Sequence, residues 1–136
     1  MGAWGTGAFQ NDDGLDWIGD FCDAPGEEAL RAALDAVAGA DGYLESPDAS
    51  SALAAVEVVA ALSGAPTADT VVVEAHLPII TRMGLPVTPD LRALALRAID
   101  RVTSDSELKE LWDEVESAPR WYADVAALRD RVARRS

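Results

Sequence analysis

MGAWGTGAFQNDDGLDW, residues 1–17, is the stretch of this sequence that decides the fold. Its glycines are interspersed with large aromatic side chains at Trp4 and Phe9, a pattern that helix propensity does not explain. Glycine permits tight or left-handed turns, and aromatic rings gain free energy when they are buried among apolar groups. We therefore expect Trp4 and Phe9 to insert between the helices that follow, with Gly5 in the intervening turn and Asn11 or Asp12 capping the first helix.

Downstream of this stretch, apolar residues recur at helical spacing, which predicts an all-α fold. Proline, glycine and capping residues divide the pattern into about six to seven helices, which we expect to form one compact domain over residues 1–136. The helix that starts near Pro47 is apolar on most of its circumference, with Glu57 as the charge in its interior. Because such a helix is a buried one, we expect it to be the centre of a bundle onto which the N-terminal segment packs.

Residues 69–83 permit two interpretations. Val71, Val72 and Val73 alone are typical of a strand, but the residues after them show no alternation of polar and apolar side chains. Pro78 would remove a backbone hydrogen bond from a helix that ran through it. We expect a helix that is kinked or shortened near Pro78.

Two further helix starts are predicted from local sequence. Pro25 is suited to the first turn of the second helix, because the backbone N–H groups there have no helical partner and the one that proline lacks is not needed. Ser104 and Glu107 have the spacing of a capping box, in which each side chain bonds to the backbone N–H of the other residue. This spacing predicts the start of the sixth helix.

A stripe of aspartates lies along the predicted first helix. Asp12, Asp16 and Asp20 repeat at four-residue spacing, and Asp13 adds a neighbour to Asp16. Like charges at this spacing repel by about 0.2–0.5 kcal/mol per pair. Trp17 lies at the edge of the apolar arc of the same helix, and tryptophan is common among binding hot spots. These five residues are the candidate partner-binding surface; a divalent-cation site and a merely solvated face are the alternatives.

The net charge of −13 is concentrated in the first half of the chain. Residues 1–60 carry 12 acidic side chains and one basic side chain, whereas residues 61–136 carry 12 acidic and 10 basic side chains. The first half would repel phosphate groups, so we expect no nucleic-acid partner. A basic protein would be steered toward it, although acidity can also serve solubility alone.

Few residues could carry catalytic chemistry. His76 is the only histidine and stands in an apolar stretch, which is typical of a core or rim residue, and Cys22 is the only cysteine. This inventory excludes a structural zinc site and an intramolecular disulfide. The early glycines precede neither a Walker lysine nor a GxGxxG motif, which excludes a phosphate-binding loop. We therefore assign no catalytic residue, no metal ligand and no cofactor.

The cellular location is predicted from the length of the apolar segments, the composition of the first residues and the cysteine content. No apolar run reaches the length of a membrane span, and the first residues lack the basic and apolar regions of a signal peptide. A single cysteine fits a reducing compartment. We expect a cytoplasmic protein with no membrane partner, and the sequence leaves the oligomeric state open.

Three stretches together resemble the DUF4259 family of small bacterial proteins of unknown function. The stretches are MGAWGTGAFQNDDGLDW at 1–17, YLESPDASSALAAVEVVAALSG at 43–64 and SELKELW at 106–112. The resemblance implies a single bacterial domain and carries over no catalytic residue. It also implies alanine at position 14, where this chain has Gly14.

The leading functional hypothesis is a non-enzymatic cytoplasmic binding module whose acidic N-terminal half engages a basic partner protein. One version is an immunity- or antitoxin-like inhibitor, because charge complementarity lets an acidic protein associate rapidly with a cationic toxin. The alternatives are an enzyme that uses carboxylates with or without a divalent ion, and a structural subunit of a homo-oligomer.

Overall fold

The computed structural model describes residues 5–134, apart from the side chains of residues 70, 71 and 73, and this part of the chain forms eight helices and no strand. The helices are α1 (Asp12–Asp23), α2 (Glu27–Ala38), α3 (Ser46–Leu62), α4 (Thr70–Ala75), α5 (Leu77–Met83), α6 (Pro89–Ser104), α7 (Glu107–Asp113) and α8 (Ala118–Ala133). The all-α prediction is confirmed. The count is one above the expected range because residues 69–83 form two helices.

Helix α3 is the centre of the bundle. It packs against α1, α2, α5, α6, α7 and α8. Every residue from Ala49 to Ala60 is buried except Ser51, and most of these side chains are alanine or valine. Small side chains all round the helix let neighbouring helices approach on every side, as its apolar pattern predicted. Among the described residues, no helix is both long enough and apolar enough to cross a membrane.

The break between α4 and α5 falls at His76. Helix α4 ends at Ala75, and His76 is the N-cap of α5. Pro78 lies in the first turn of α5, where its missing N–H removes no helical hydrogen bond. The interruption expected near Pro78 is therefore a complete break just before it, and proline starts the second helix rather than bending the first.

Two predicted helix starts differ from the structure. Helix α2 begins at Glu27 with Gly26 as its N-cap, so Pro25 precedes the helix instead of lying in its first turn. Helix α7 is capped by Ser106, whose Oγ accepts a hydrogen bond from the N–H of Lys109 at 3.0 Å. The capping box predicted from Ser104 and Glu107 is therefore wrong.

Glu107 has a tertiary partner instead of a capping one. Its Oε1 accepts a hydrogen bond from the backbone N–H of Ser46 at 2.8 Å, and its own N–H donates to the carbonyl of Leu44 at 2.8 Å. These two bonds tie the start of α7 to the start of α3. A contact over 61 residues of sequence thus overrides the local capping pattern.

The N-terminal segment enters the core through Phe9, whose side chain is only 3% exposed. Trp4, the other expected ring, lies outside the described residues. Gln10 closes a turn with Gly7, since its N–H donates to the Gly7 carbonyl at 3.0 Å and its Oε1 accepts from the Gly7 N–H at 2.9 Å. A Cβ on Gly5 would lie 2.3 Å from Gln10 Oε1, so a larger residue there would displace the Gln10 side chain. Gly7 does not have a positive φ. The turn is tight, as expected, but it is not left-handed.

Asn11 joins this turn to α1. Its Oδ1 accepts a hydrogen bond from the N–H of Gly14 at 2.7 Å, and its Nδ2 donates to the carbonyl of Ala8 at 3.2 Å. A side-chain cap of this kind contributes about 1 kcal/mol to helix stability. Gly14 is buried, and a Cβ on it would lie 2.2 Å from the Ala8 carbonyl oxygen. The alanine that the resemblance implies at position 14 therefore requires the turn to move outward.

Candidate functional site

The exposed side of α1 carries five aspartates. All five are exposed, and none forms an ion pair or side-chain hydrogen bond within residues 5–134. They form the acidic face of α1: Asp12, Asp13, Asp16, Asp20 and Asp23. The sequence placed the first four of these carboxylates on one side of a helix; Asp23 extends the same side, and all five are exposed in the structure.

The helix dipole stabilises the negative charges at one end of this face and destabilises those at the other end. Asp12 and Asp13 lie in the first turn, where a negative charge interacts favourably with the helix N-terminus. Asp20 and Asp23 lie in the last turn, which holds no basic residue, so their charges oppose the negative end of the dipole. The C-terminal half of the face thus combines mutual repulsion with an unfavourable dipole interaction.

Several carboxylates elsewhere on the surface have a cation beside them. Asp113 pairs with Lys109 at 2.7 Å, and Asp100 pairs with Arg129 at 3.1 Å. Asp113 also accepts a hydrogen bond from the Tyr122 hydroxyl at 2.8 Å. The Lys109 ammonium and the Tyr122 hydroxyl lower the pKa of Asp113. The aspartates of α1 therefore lack the cationic neighbours that these carboxylates have.

A groove of about 460 Å³ runs between α1 and the α4–α5 junction. Helix α1 contributes carboxylates to its lining, and the junction contributes His76 and Ile79. Leu15 and Cys22, which are partly buried against the core, also line it. The groove therefore combines apolar lining residues with three carboxylates. These are Asp16, Asp20 and Asp23.

His76 lies in this groove rather than in the core. Its Nδ1 is buried and has no hydrogen-bond partner within the described part of the chain. The sequence offered no signal for this placement, because His76 and the aspartates of α1 are more than fifty residues apart. Across the described residues, no group of three or more histidine, cysteine, aspartate or glutamate side chains is arranged to hold a metal ion.

Trp17, the other candidate contact residue, is only partly exposed. Its ring stacks on Phe21 with centroids 5.0 Å apart and an interplanar angle of 14°, and it packs against the core. Trp112 and Trp121 are also stacked, at 6.1 Å, and are 6% and 2% exposed. The tryptophans seen in the structure thus serve mainly as packing residues, and Trp17 alone among these three has surface left for a partner.

Cys22 is expected to react slowly with alkylating agents. Burial, and then the nearby charge of Asp23, raise the pKa of the Cys22 thiol, so it stays protonated to higher pH than a thiol in an unfolded chain. The pH profile of its reaction with iodoacetamide should therefore lie at higher pH in the native protein than in urea. Asp23→Asn should shift the native profile toward lower pH without restoring the unfolded one. Coincident native and unfolded profiles would contradict the assignment.

A family model described as a domain of unknown function, DUF4259, matches residues 2–124 of the 136-residue chain. No curated protein and no solved structure matches the chain. The matched region includes the whole acidic face of α1 and ends within α8, at residue 124.

Proposed function

Since the chain belongs to the DUF4259 family, whose description names no activity, we propose a function from its own residues: it is a non-enzymatic binding module, and the acidic face of α1 engages a basic partner protein. The observation that carries this proposal is the set of five exposed carboxylates without an intramolecular cation, beside a groove with apolar lining residues.

Electrostatics supports binding over simple solvation. Each like-charge pair at helical spacing costs about 0.2–0.5 kcal/mol. A cation at a helix C-terminus stabilises the helix by about 0.3–1 kcal/mol, and a carboxylate in the same place does not provide this stabilisation. A cationic partner at Asp20 and Asp23 would reverse both effects at once. The charge of the whole chain is compatible with this role, because a net charge of −13 also attracts a basic protein from a distance.

The groove suggests the kind of contact that such a partner makes. A lysine or arginine of the partner would meet Asp16, Asp20 or Asp23, while a neighbouring apolar side chain would pack against Leu15 and Ile79. Charge complementarity of this sort raises association rates and makes them dependent on salt. An inhibitor of the immunity or antitoxin type, which must capture a cationic protein quickly, is one version of this function.

Neutralising part of the face should weaken binding without harming the fold. We expect Asp16→Asn/Asp20→Asn to reduce affinity for the purified partner about tenfold or more, mainly through slower association at low salt. Partners would be captured from the native host with the wild-type protein, identified, purified and measured by surface plasmon resonance over a range of salt concentrations. Without partner, the variant should melt at the wild-type temperature or slightly above it, because repulsion is relieved.

Glu114→Gln/Glu116→Gln is the matched control. Both glutamates are exposed, lie after α7 and form no ion pair within the described chain. This variant has the same loss of charge and should retain wild-type affinity. An equal loss of affinity in both variants would show that only the net charge matters. No loss of affinity in either variant would show that the acidic face of α1 is not a docking surface.

The two alternative functions have separate tests. A metal-dependent enzyme would show a thermal shift with Mg²⁺, Ca²⁺ or Mn²⁺ that disappears in Asp13→Asn/Asp16→Asn. A homo-oligomeric subunit would show a multiple of the chain mass of 14.3 kDa in light scattering. Neither has an observation of its own comparable to the acidic face.

A further inference from the structure

A second cavity is lined by the N-terminal turn and includes no residue of the acidic face of α1. It is a cleft of about 260 Å³ beneath residues 6–10, between α3, α8 and the connection that follows α3. We call it the loop cleft. Drug-sized ligands occupy pockets of about 300–1,000 Å³, so a cleft of this size suits a smaller molecule.

The wall of the loop cleft contains a buried ion pair. Glu57, on the central helix, is 6% exposed, and both its oxygens accept hydrogen bonds from Arg131, at 2.7 and 3.0 Å. Arg131 also donates to the carbonyl of Ala65 at 3.1 Å. Because the guanidinium neutralises Glu57, the pair contributes no net charge. The other ionisable residues of the lining therefore determine the charge of the cleft.

Those other residues are both acidic. Asp124, on α8, accepts a hydrogen bond from the Thr6 hydroxyl, and Asp69 lies in the connection before α4. With Glu57 and Arg131 cancelling, Asp124 contributes a negative charge to the lining that no cation of the described residues pairs with. The remaining walls are largely apolar and include Phe9, Leu53 and Leu128.

We propose that the loop cleft binds a small organic cation: a primary ammonium group carried on a short apolar chain. The ammonium group would lie at the Asp124 side, where its charge is complemented, and the chain would lie against Leu53 and Leu128. An anion of the same size is disfavoured, since the lining and the protein as a whole are negative. The site is separate from the acidic face and does not depend on the proposed protein partner.

Three probes of equal length separate charge from shape: butylammonium chloride, sodium butyrate and 1-butanol. Titration into ¹⁵N-labelled protein at constant ionic strength should give saturable shifts with butylammonium at the amides of Gly7, Leu53 and Leu128. Butyrate should give none there, and butanol should bind at least about fivefold more weakly than butylammonium. Equal shifts from all three probes would overturn the assignment of a cation site.

Substitutions on the exposed side of α8 locate the site without disturbing the core. Ala127 and Ala126 are both exposed, but only Ala127 lines the loop cleft. Ala127→Trp should block the cleft and abolish the saturable shifts, while Ala126→Trp should leave them unchanged. Asp124→Asn should weaken butylammonium binding at least about fivefold. Asp16→Asn/Asp20→Asn should have no effect, which keeps this site distinguishable from the acidic face of α1. Binding that survives both Ala127→Trp and Asp124→Asn would overturn the proposal.

Discussion

Phe9→Ala is expected to lower the free energy of unfolding by about 3–5 kcal/mol. The ring is 3% exposed and belongs to the same core cluster as Ile18 and Leu53. Its loss removes apolar contact area and leaves a void that the neighbouring backbone can fill only in part. Urea denaturation followed by far-UV circular dichroism would measure the change.

The size of this effect tests whether the N-terminal segment is part of the folded core. Val115→Ala is the comparison, because Val115 is 40% exposed and its truncation should change stability by about 0.5 kcal/mol or less. Terminal residues that are not held in place fray at little cost. A Phe9→Ala effect no larger than that of Val115→Ala would therefore show that the turn is not anchored by this ring.

Arg131→Met is expected to destabilise the protein by about 3 kcal/mol, at the lower end of the range for broken buried pairs because the arginine side chain is 24% exposed. The substitution leaves the Glu57 side chain, which is 7% exposed, without its cation, and the Ala65 carbonyl without a donor. An uncompensated buried carboxylate costs more than the lost attraction alone. Urea denaturation at neutral pH would measure it.

Two further variants separate burial from charge in this prediction. Glu57→Met/Arg131→Met removes both charges and should regain most of the lost stability, since apolar replacement of a buried pair is often neutral. Arg129→Met breaks an exposed pair with Asp100 and should cost about 1 kcal/mol or less. If Arg131→Met were as mild as Arg129→Met, solvent would be screening the Glu57 pair.

Most of the fold could be predicted from local patterns. The position of α3 followed from its apolar circumference, and the end of α4 near Pro78 followed from the missing N–H of proline. The starts of α2 and α7 were misplaced by a residue or two. For α7 the reason is tertiary, because Glu107 bonds to Ser46 and Ser106 takes over the cap.

The candidate site also has a part that local sequence patterns predict and a part that they do not. That the aspartates lie on one side of α1 was predictable, because a rotation of 100° per residue determines which side chains of a helix lie together. The groove was not predictable, since it requires His76 and Ile79 to approach α1 across more than fifty residues of sequence. Likewise, Glu57 was recognised as the charge within an apolar helix, but nothing in the sequence pointed to Arg131 as its partner, 74 residues away.

The sequence by itself determined the helical class, the central helix, the charge asymmetry and the acidic face of α1. These are local properties, fixed by periodicity, capping and composition within a few turns of helix. Only the tertiary structure decided which charges are paired and where the two cavities lie. Pairing and cavities depend on how helices distant in sequence pack around α3, and that packing leaves the aspartates of α1 unpaired while it gives Glu57 its arginine.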